Sequence, residues 1–337
     1  MTKAFEHLPS DAAIQQAATR LQAGDVVAFP TETVYGLGAD ATNARAVRKI
    51  FALKGRPADH PLIVHVLGRG DIDEWAVDVP EAARRLAEAF WPGPLTMIVR
   101  KAPHVLAEVT GGQDTVGLRS PAGVTASALL YAFRGPPRGA PCGIAAPSAN
   151  RFGHVSPTTA EHVRDEFGPD LTILDGGPCE IGLESTIVDL SRGRPVLLRP
   201  GGASRAAIER VLGVPLGERD AHAPRASGTL ATHYAPRTAL ALVTPEDLEV
   251  ELETPANIAV LAMREPQGDI RVTSWITAPS DPARYGHDLY ANLRTLDASG
   301  AKRIVVEAPP LLAAWEAVND RLARAAAGVR GLEDDDP

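Results

Sequence analysis

Over the first 212 residues, short apolar runs rich in β-branched side chains alternate with stretches whose apolar positions recur every three or four residues. That alternation predicts an α/β chain. The runs predict strands over 26–29, 62–66, 95–99, 115–118, 143–146, 172–174, 185–190 and 196–198. The helical spacing predicts helices over 11–23, 44–53, 81–90, 125–133, 159–167 and 204–212. End signals support several of them: Gly24 and Gly55 fall where a left-handed C-terminal cap belongs, and Thr158 or Thr159 stands where a hydroxyl would cap the following helix. The stretch 135–141, GPPRGAP, reads as a surface loop.

From 213 the periodicity fades and Pro, Gly, Ser and Thr accumulate, which marks a linker over 213–236 between a domain at 1–212 and another at 237–337. The second domain restarts the alternation, with buried strands expected at 240–243, 258–261 and 304–306 and helices at 283–296 and 311–326, a small Rossmann-like pattern. The tail from 331 onward, with four consecutive acids, reads as a solvated end.

Length agrees with this division, since 337 residues make about two domains of roughly 150. No apolar run approaches the ~18 residues of a membrane helix, and the N-terminus lacks a basic flank followed by an apolar stretch, so a cytoplasmic protein is expected. The net charge of −8 is uneven: residues 1–215 hold 22 basic against 23 acidic side chains, and residues 236–337 hold 10 against 17. Such a chain is poorly suited to gripping a nucleic-acid backbone, so the cations that matter must be local. Two cysteines, Cys142 and Cys179, are too few for a disulfide framework or a four-cysteine zinc site and read as structural thiols.

The densest unusual stretch, PTETVYGLG from Pro30, follows a buried strand, where ligands of open α/β sheets gather. It reads equally as a tight turn. Lys54 and Arg56 flank Gly55 at a helix end, either as an anion clamp or as cations favoured by the helix dipole. Arg119 and Arg199 each end a predicted strand, so four cations stand near strand ends, and their convergence would suit a triphosphate plus a carboxylate. Ser148 and Asn150, in APSAN from Ala146, could donate to phosphate or ribose oxygens, with Ser156 following in the same loop; turn chemistry alone also explains them. There is no Walker loop, GxSxG elbow, HExxH or CxxC pair, so no covalent nucleophile is indicated.

Taken together and in order, FPTETVYGLGADA, KGRP, PLIVHV, WPGPLT, VGLRSP, APSAN, SPT, ESTIVD and LRPG resemble the YrdC-like family of L-threonylcarbamoyladenylate synthases. The paired signature Lys54-x-Arg56 with Ser148-x-Asn150 is the most specific part. The segment SGTLATHYAP from Ser227 resembles the linker of the long two-domain form. The resemblance implies a twisted open mixed sheet with flanking helices, and a reaction of L-threonine, bicarbonate or CO2, and ATP giving threonylcarbamoyl-AMP and pyrophosphate. The product would feed N6-threonylcarbamoyladenosine formation in tRNA through a separate transfer complex, with no stable nucleic-acid binding by this chain.

Carried over by position, the resemblance implies a threonine pocket of Thr33, His65, Arg119 and Ser185. It implies an ATP side of Lys54, Arg56, His60, Thr115, Ser148, Asn150, Ser156, Arg199 and Tyr234, with Lys54 and Arg56 catalytic and Tyr234 as a lid. Mg2+ is expected with the ATP, without a dedicated protein site. His60 stands where relatives often carry Asn and Ala146 where some carry Thr, while 131–141 reads as an insertion. Two other readings are a cleft that recognises RNA directly, opposed by the acidic charge, and carbamoyl transfer in metal-centre assembly, whose zinc fingers two cysteines cannot build.

Overall fold

The computed structural model describes residues 8–135, 141–230, 233–253, 256–268 and 271–328, and by contacts the chain divides into two units, 1–152 with 157–229 and 153–156 with 230–337. The first unit carries nine strands: β1 (Val27–Phe29), β2 (Gly36–Asp40), β3 (Ile63–His65), β4 (Leu95–Arg100), β5 (Thr115–Arg119), β6 (Ile144–Ala145), β7 (Thr172–Ile173), β8 (Thr186–Asp189) and β9 (Val196–Arg199). They form one mixed sheet in the order β7-β1-β2-β6-β3-β5-β4-β8-β9. β3 pairs parallel with β5 and β4 with β8, whereas β2, β6 and β9 run antiparallel to their neighbours.

Alternation along the central strands separates two faces. Val64, Met97, Val99, Val116, Leu118 and Val188 turn into the main core beneath helices Ala44–Lys54 and Glu81–Phe90. Their neighbours Ile63, His65, Ile98, Thr115, Gly117, Arg119 and Ile187 turn to the opposite face. The helix ends follow the expected chemistry. Gly55 takes φ +63 after Lys54, Gly24 takes φ +80, and Thr159 Oγ1 accepts from His162 N at 3.2 Å.

β2 departs from the sequence reading, which placed only a turn there. Its GLGAD sequence has no β-branched residue, yet pairing on both edges, to β1 and to β6, fixes it as a strand. Of the supposed insertion, residues up to Arg134 continue helix Val124–Arg134, while 136–140 lie outside the described residues.

The second unit holds four parallel strands, β10 (Ala239–Val243), β11 (Ile258–Ala262), β12 (Ser274–Thr277) and β13 (Arg303–Glu307), in the order β10-β13-β11-β12. Strand β12 and helix Pro245–Leu252 escaped the sequence reading. β12 is the exposed-edge strand SWIT, and the helix is a short, acid-rich PEDLEVEL capped by Thr244. The acidic tail from 331 lies outside the described residues.

Gly38 has a packing reason for its identity: a Cβ there would stand 2.7 Å from both Ile144 Cγ2 and Phe29 Cε1. We expect Gly38→Ala to lower stability by about 1–3 kcal/mol in urea unfolding, since both neighbours are buried and must shift. An unchanged midpoint would mean that they repack freely.

Candidate active site

Register brings His65, Thr115, Arg119 and Arg199 onto the polar face. His65 and Arg119 are direct partners across β3 and β5, so their side chains lie side by side. Arg119 Nε donates to Gly93 O at 3.3 Å, and its Nη2 stands 2.7 Å from Glu32 Oε1. Next along the sheet, the Thr96 and Ser185 hydroxyls are 2.8 Å apart. Arg199 crosses from β9, donating from Nη2 to Ser185 O at 2.8 Å and to Ser185 Oγ at 3.3 Å.

Thr33 sits in the loop between β1 and β2. Thr31 Oγ1 donates to Val34 O at 2.7 Å, so in the 2.8 Å hydroxyl pair it is Thr33 that donates to Thr31. That leaves the Thr33 oxygen as an acceptor.

Lys54 and Arg56 build a second group. Lys54 Nζ donates to Ser148 O at 2.7 Å and also to Asn150 O, which fastens the helix end to the APSAN loop. This lysine is only 3% exposed and is not a flexible cation. Burial, and next the Arg56 guanidinium, hold its pKa well below the usual lysine value, while Glu166 pulls the other way. His60 packs edge-on to Phe152 at 5.4 Å, and burial with Arg56 lowers its pKa too.

The segment read as linker contributes a part that sequence reasoning missed. Ala223 and Ala226 pack on Ile63, Ile98, Ile187, Val196 and Leu198, and Ser227 joins the cations. Ser227 Oγ accepts from Arg56 Nη2 at 3.3 Å and its carbonyl from Arg199 Nη1 at 2.9 Å, so two of the four cations meet on one serine. Thr115, four residues before Arg119 on the same face, lines a separate hollow with Arg100, Arg192 and Arg225. Ser156 and Tyr234 belong to the second unit, where Tyr234 lies between the Tyr290 ring, 5.7 Å away, and the Arg321 guanidinium, 5.1 Å away.

Glu32 also went unassigned from sequence, although it lies inside the motif. A carboxylate in a hydroxyl-rich turn gives no sign of burial; here it is 4% exposed. Neither thiol offers a nucleophile: burial pushes Cys142 up to about 11, and burial followed by the Glu32 charge pushes Cys179 higher still.

Fold and site together define a YrdC-like α/β domain whose polar sheet face is lined by fixed cations and hydroxyls. Residues 19–201 match the family described as Telomere recombination (Sua5_yciO_yrdC), and residues 203–327 match Threonylcarbamoyl-AMP synthase, C-terminal domain. The chain belongs to the threonylcarbamoyl-AMP synthase family, in its long two-domain form. It is 38% identical to the threonylcarbamoyl-AMP synthase of Pyrococcus abyssi, over 94% of each chain. It is 39% identical to that of Bacillus subtilis, over 95% of this chain and 94% of the relative. The crystal structure of Pyrococcus abyssi Sua5 complexed with L-threonine superposes with a TM-score of 0.85 at 36% identity, covering 95% of both chains.

His65 supplies a pH test. Burial, and then the Arg119 charge, depress its pKa to about 3, so the folded ring is neutral where an unfolded histidine, near 6.5, binds a proton. Stability therefore falls as pH drops from about 6.5 toward 3, and is fully retained above that window. Between pH 7 and pH 5 the wild type should lose about 2 kcal/mol more than His65→Gln in urea unfolding. Equal losses would mean that the folded ring accepts a proton.

Proposed function

We propose that this chain condenses L-threonine, bicarbonate or CO2, and ATP into threonylcarbamoyl-AMP and pyrophosphate, for N6-threonylcarbamoyladenosine formation in tRNA. The observation that carries the reading is the polar sheet face. His65, Arg119 and Ser185 suit an amino acid there, and the Lys54, Arg56, Ser148 and Asn150 group suits phosphates.

The chemistry asks for positioning more than for a nucleophile. The threonine amine forms an N–C bond to the carbon of CO2 as one C=O π bond opens and the amine gives up a proton, or to that of bicarbonate with loss of water, giving a carbamate. A carbamate oxygen then attacks the α-phosphorus, and the bond to the pyrophosphate oxygen breaks. Arg119 holds the amino-acid carboxylate, Ser185 and Thr33 present hydroxyl oxygens to the substrate hydroxyl, and neutral His65 offers a ring nitrogen without competing charge. Lys54 is held by neutral carbonyls, so its charge is offered to the phosphates, and Arg56 and Arg199 serve the same developing charge. Thr115, His60, Ser156 and Tyr234 keep the nucleotide role that family resemblance implies. Mg2+ would come with the nucleotide and would supply neutralisation of phosphate charge there. The same reading puts the activity in the cytoplasm with a separate transfer complex downstream.

Pyrophosphate release from ATP is expected only when L-threonine and bicarbonate are both supplied; equal release with threonine omitted overturns the substrate assignment. Lys54→Ala should lower turnover by roughly a hundredfold or more. It also leaves the Ser148 and Asn150 carbonyls short of a donor at about 1–3 kcal/mol, so the unfolding midpoint is measured alongside. Near-normal turnover in a folded variant removes Lys54 from the mechanism.

A further inference from the structure

We propose that Glu32 is the receptor for the amino group of the amino-acid substrate and, with Arg119, forms a two-point clamp for the zwitterion. This rests on the preceding reading of Arg119 as the carboxylate partner.

Glu32 and Arg119 have side chains 4% and 5% exposed, and Glu32 Oε1 lies 2.7 Å from Arg119 Nη2. Neither Glu32 oxygen accepts a well-directed hydrogen bond from any described residue, and Arg119 Nη2 likewise donates none. An ionised carboxylate has about four acceptor positions, and burying one with a single ionic contact is costly unless further donors meet it. Its charge also raises the pKa of the Cys179 thiol, which burial keeps neutral. An ammonium, with three N–H donors and a positive charge, is the chemical complement of such an oxygen pair.

Geometry selects the kind of ammonium. The two charged groups of an α-amino acid sit on one carbon, so a clamp for both needs a carboxylate and a guanidinium in direct contact. Glu32 and Arg119 meet that condition, and the backbone around Glu32 is fixed. Its carbonyl accepts from Ile181 N at 2.8 Å, and a Cβ on Gly123 would stand 3.3 Å from its amide nitrogen. Glu32 is therefore a specificity-determining residue, separating amino acids from 2-hydroxy acids of the same shape.

Calorimetric titration of wild type and Glu32→Gln with L-threonine, and with the 2,3-dihydroxybutanoate in which a hydroxyl replaces the amine, tests this. The wild type should prefer threonine, and Glu32→Gln should lose roughly tenfold to a hundredfold in threonine affinity with little change for the hydroxy acid, so that the preference collapses. If Glu32 merely orients Arg119, both ligands weaken by the same factor and the proposal fails; it fails equally if the preference survives intact. Should Glu32→Gln not fold by circular dichroism, Glu32→Asp serves, with a partial loss confined to threonine expected and an equal loss for both ligands overturning the clamp. A panel of other amino acids and their 2-hydroxy analogues separates the two readings. A wild type that ignores threonine but favours another amino acid, with the preference lost in Glu32→Gln, refutes the threonine assignment and supports the clamp.

Discussion

Putting charge on the inner face of a buried sheet is the constraint that shapes this protein. β5 states it most compactly: Val116 and Leu118 enter the core, while Thr115, Gly117 and Arg119 turn to the other face, and all five residues are buried. A guanidinium in such a place needs partners for its N–H groups, because leaving a buried charge unpaired costs several kcal/mol. The loops around the sheet supply those partners. The Gly93 carbonyl meets Arg119, the Ser185 carbonyl and hydroxyl meet Arg199, and Ser227 meets both Arg56 and Arg199. The cations are thus held by the protein's own oxygens, which keeps reorganisation small when charge develops.

The identity of those partners divides the cations into two kinds. Carbonyls satisfy the N–H donors of Lys54 without cancelling its charge. Arg119 instead stands at ion-pair distance from a buried carboxylate, that of Glu32. A pocket meant only for phosphate gains nothing from that carboxylate, whereas a pocket for a zwitterion needs it.

Much of this was legible before the structure, and the exceptions have physical causes. Caps and amphipathic spacing located the longer helices of the first unit, because residues such as Gly55 and Thr159 act through bonds within a few residues, whereas the four-residue helices Ile72–Trp75 and Ala107–Thr110 escaped. β2 was not legible because its strand character comes from its neighbours, with Gly38 required by the Phe29 ring and Ile144 rather than by any turn. Motif spacing brought Lys54, Ser148 and Asn150 forward, and they do meet. Ser227 and Glu32 stayed hidden for a shared reason. Serine in a loop and glutamate in a polar turn look like solvated surface, and only distant pairing buries them.

The choice of cation also follows from burial. Only five of the 34 basic residues are lysine, and Arg56, Arg119 and Arg199 occupy positions where a planar, weakly hydrated guanidinium can be fixed by several oxygens at once. Lys54 is the exception, and its ammonium explains why. Two of its three donors are committed to the Ser148 and Asn150 carbonyls, which holds it against the APSAN loop, and the third is left for an incoming oxygen. Burial makes that ammonium expensive to keep charged, so the anion that approaches it gains more than a surface lysine would offer.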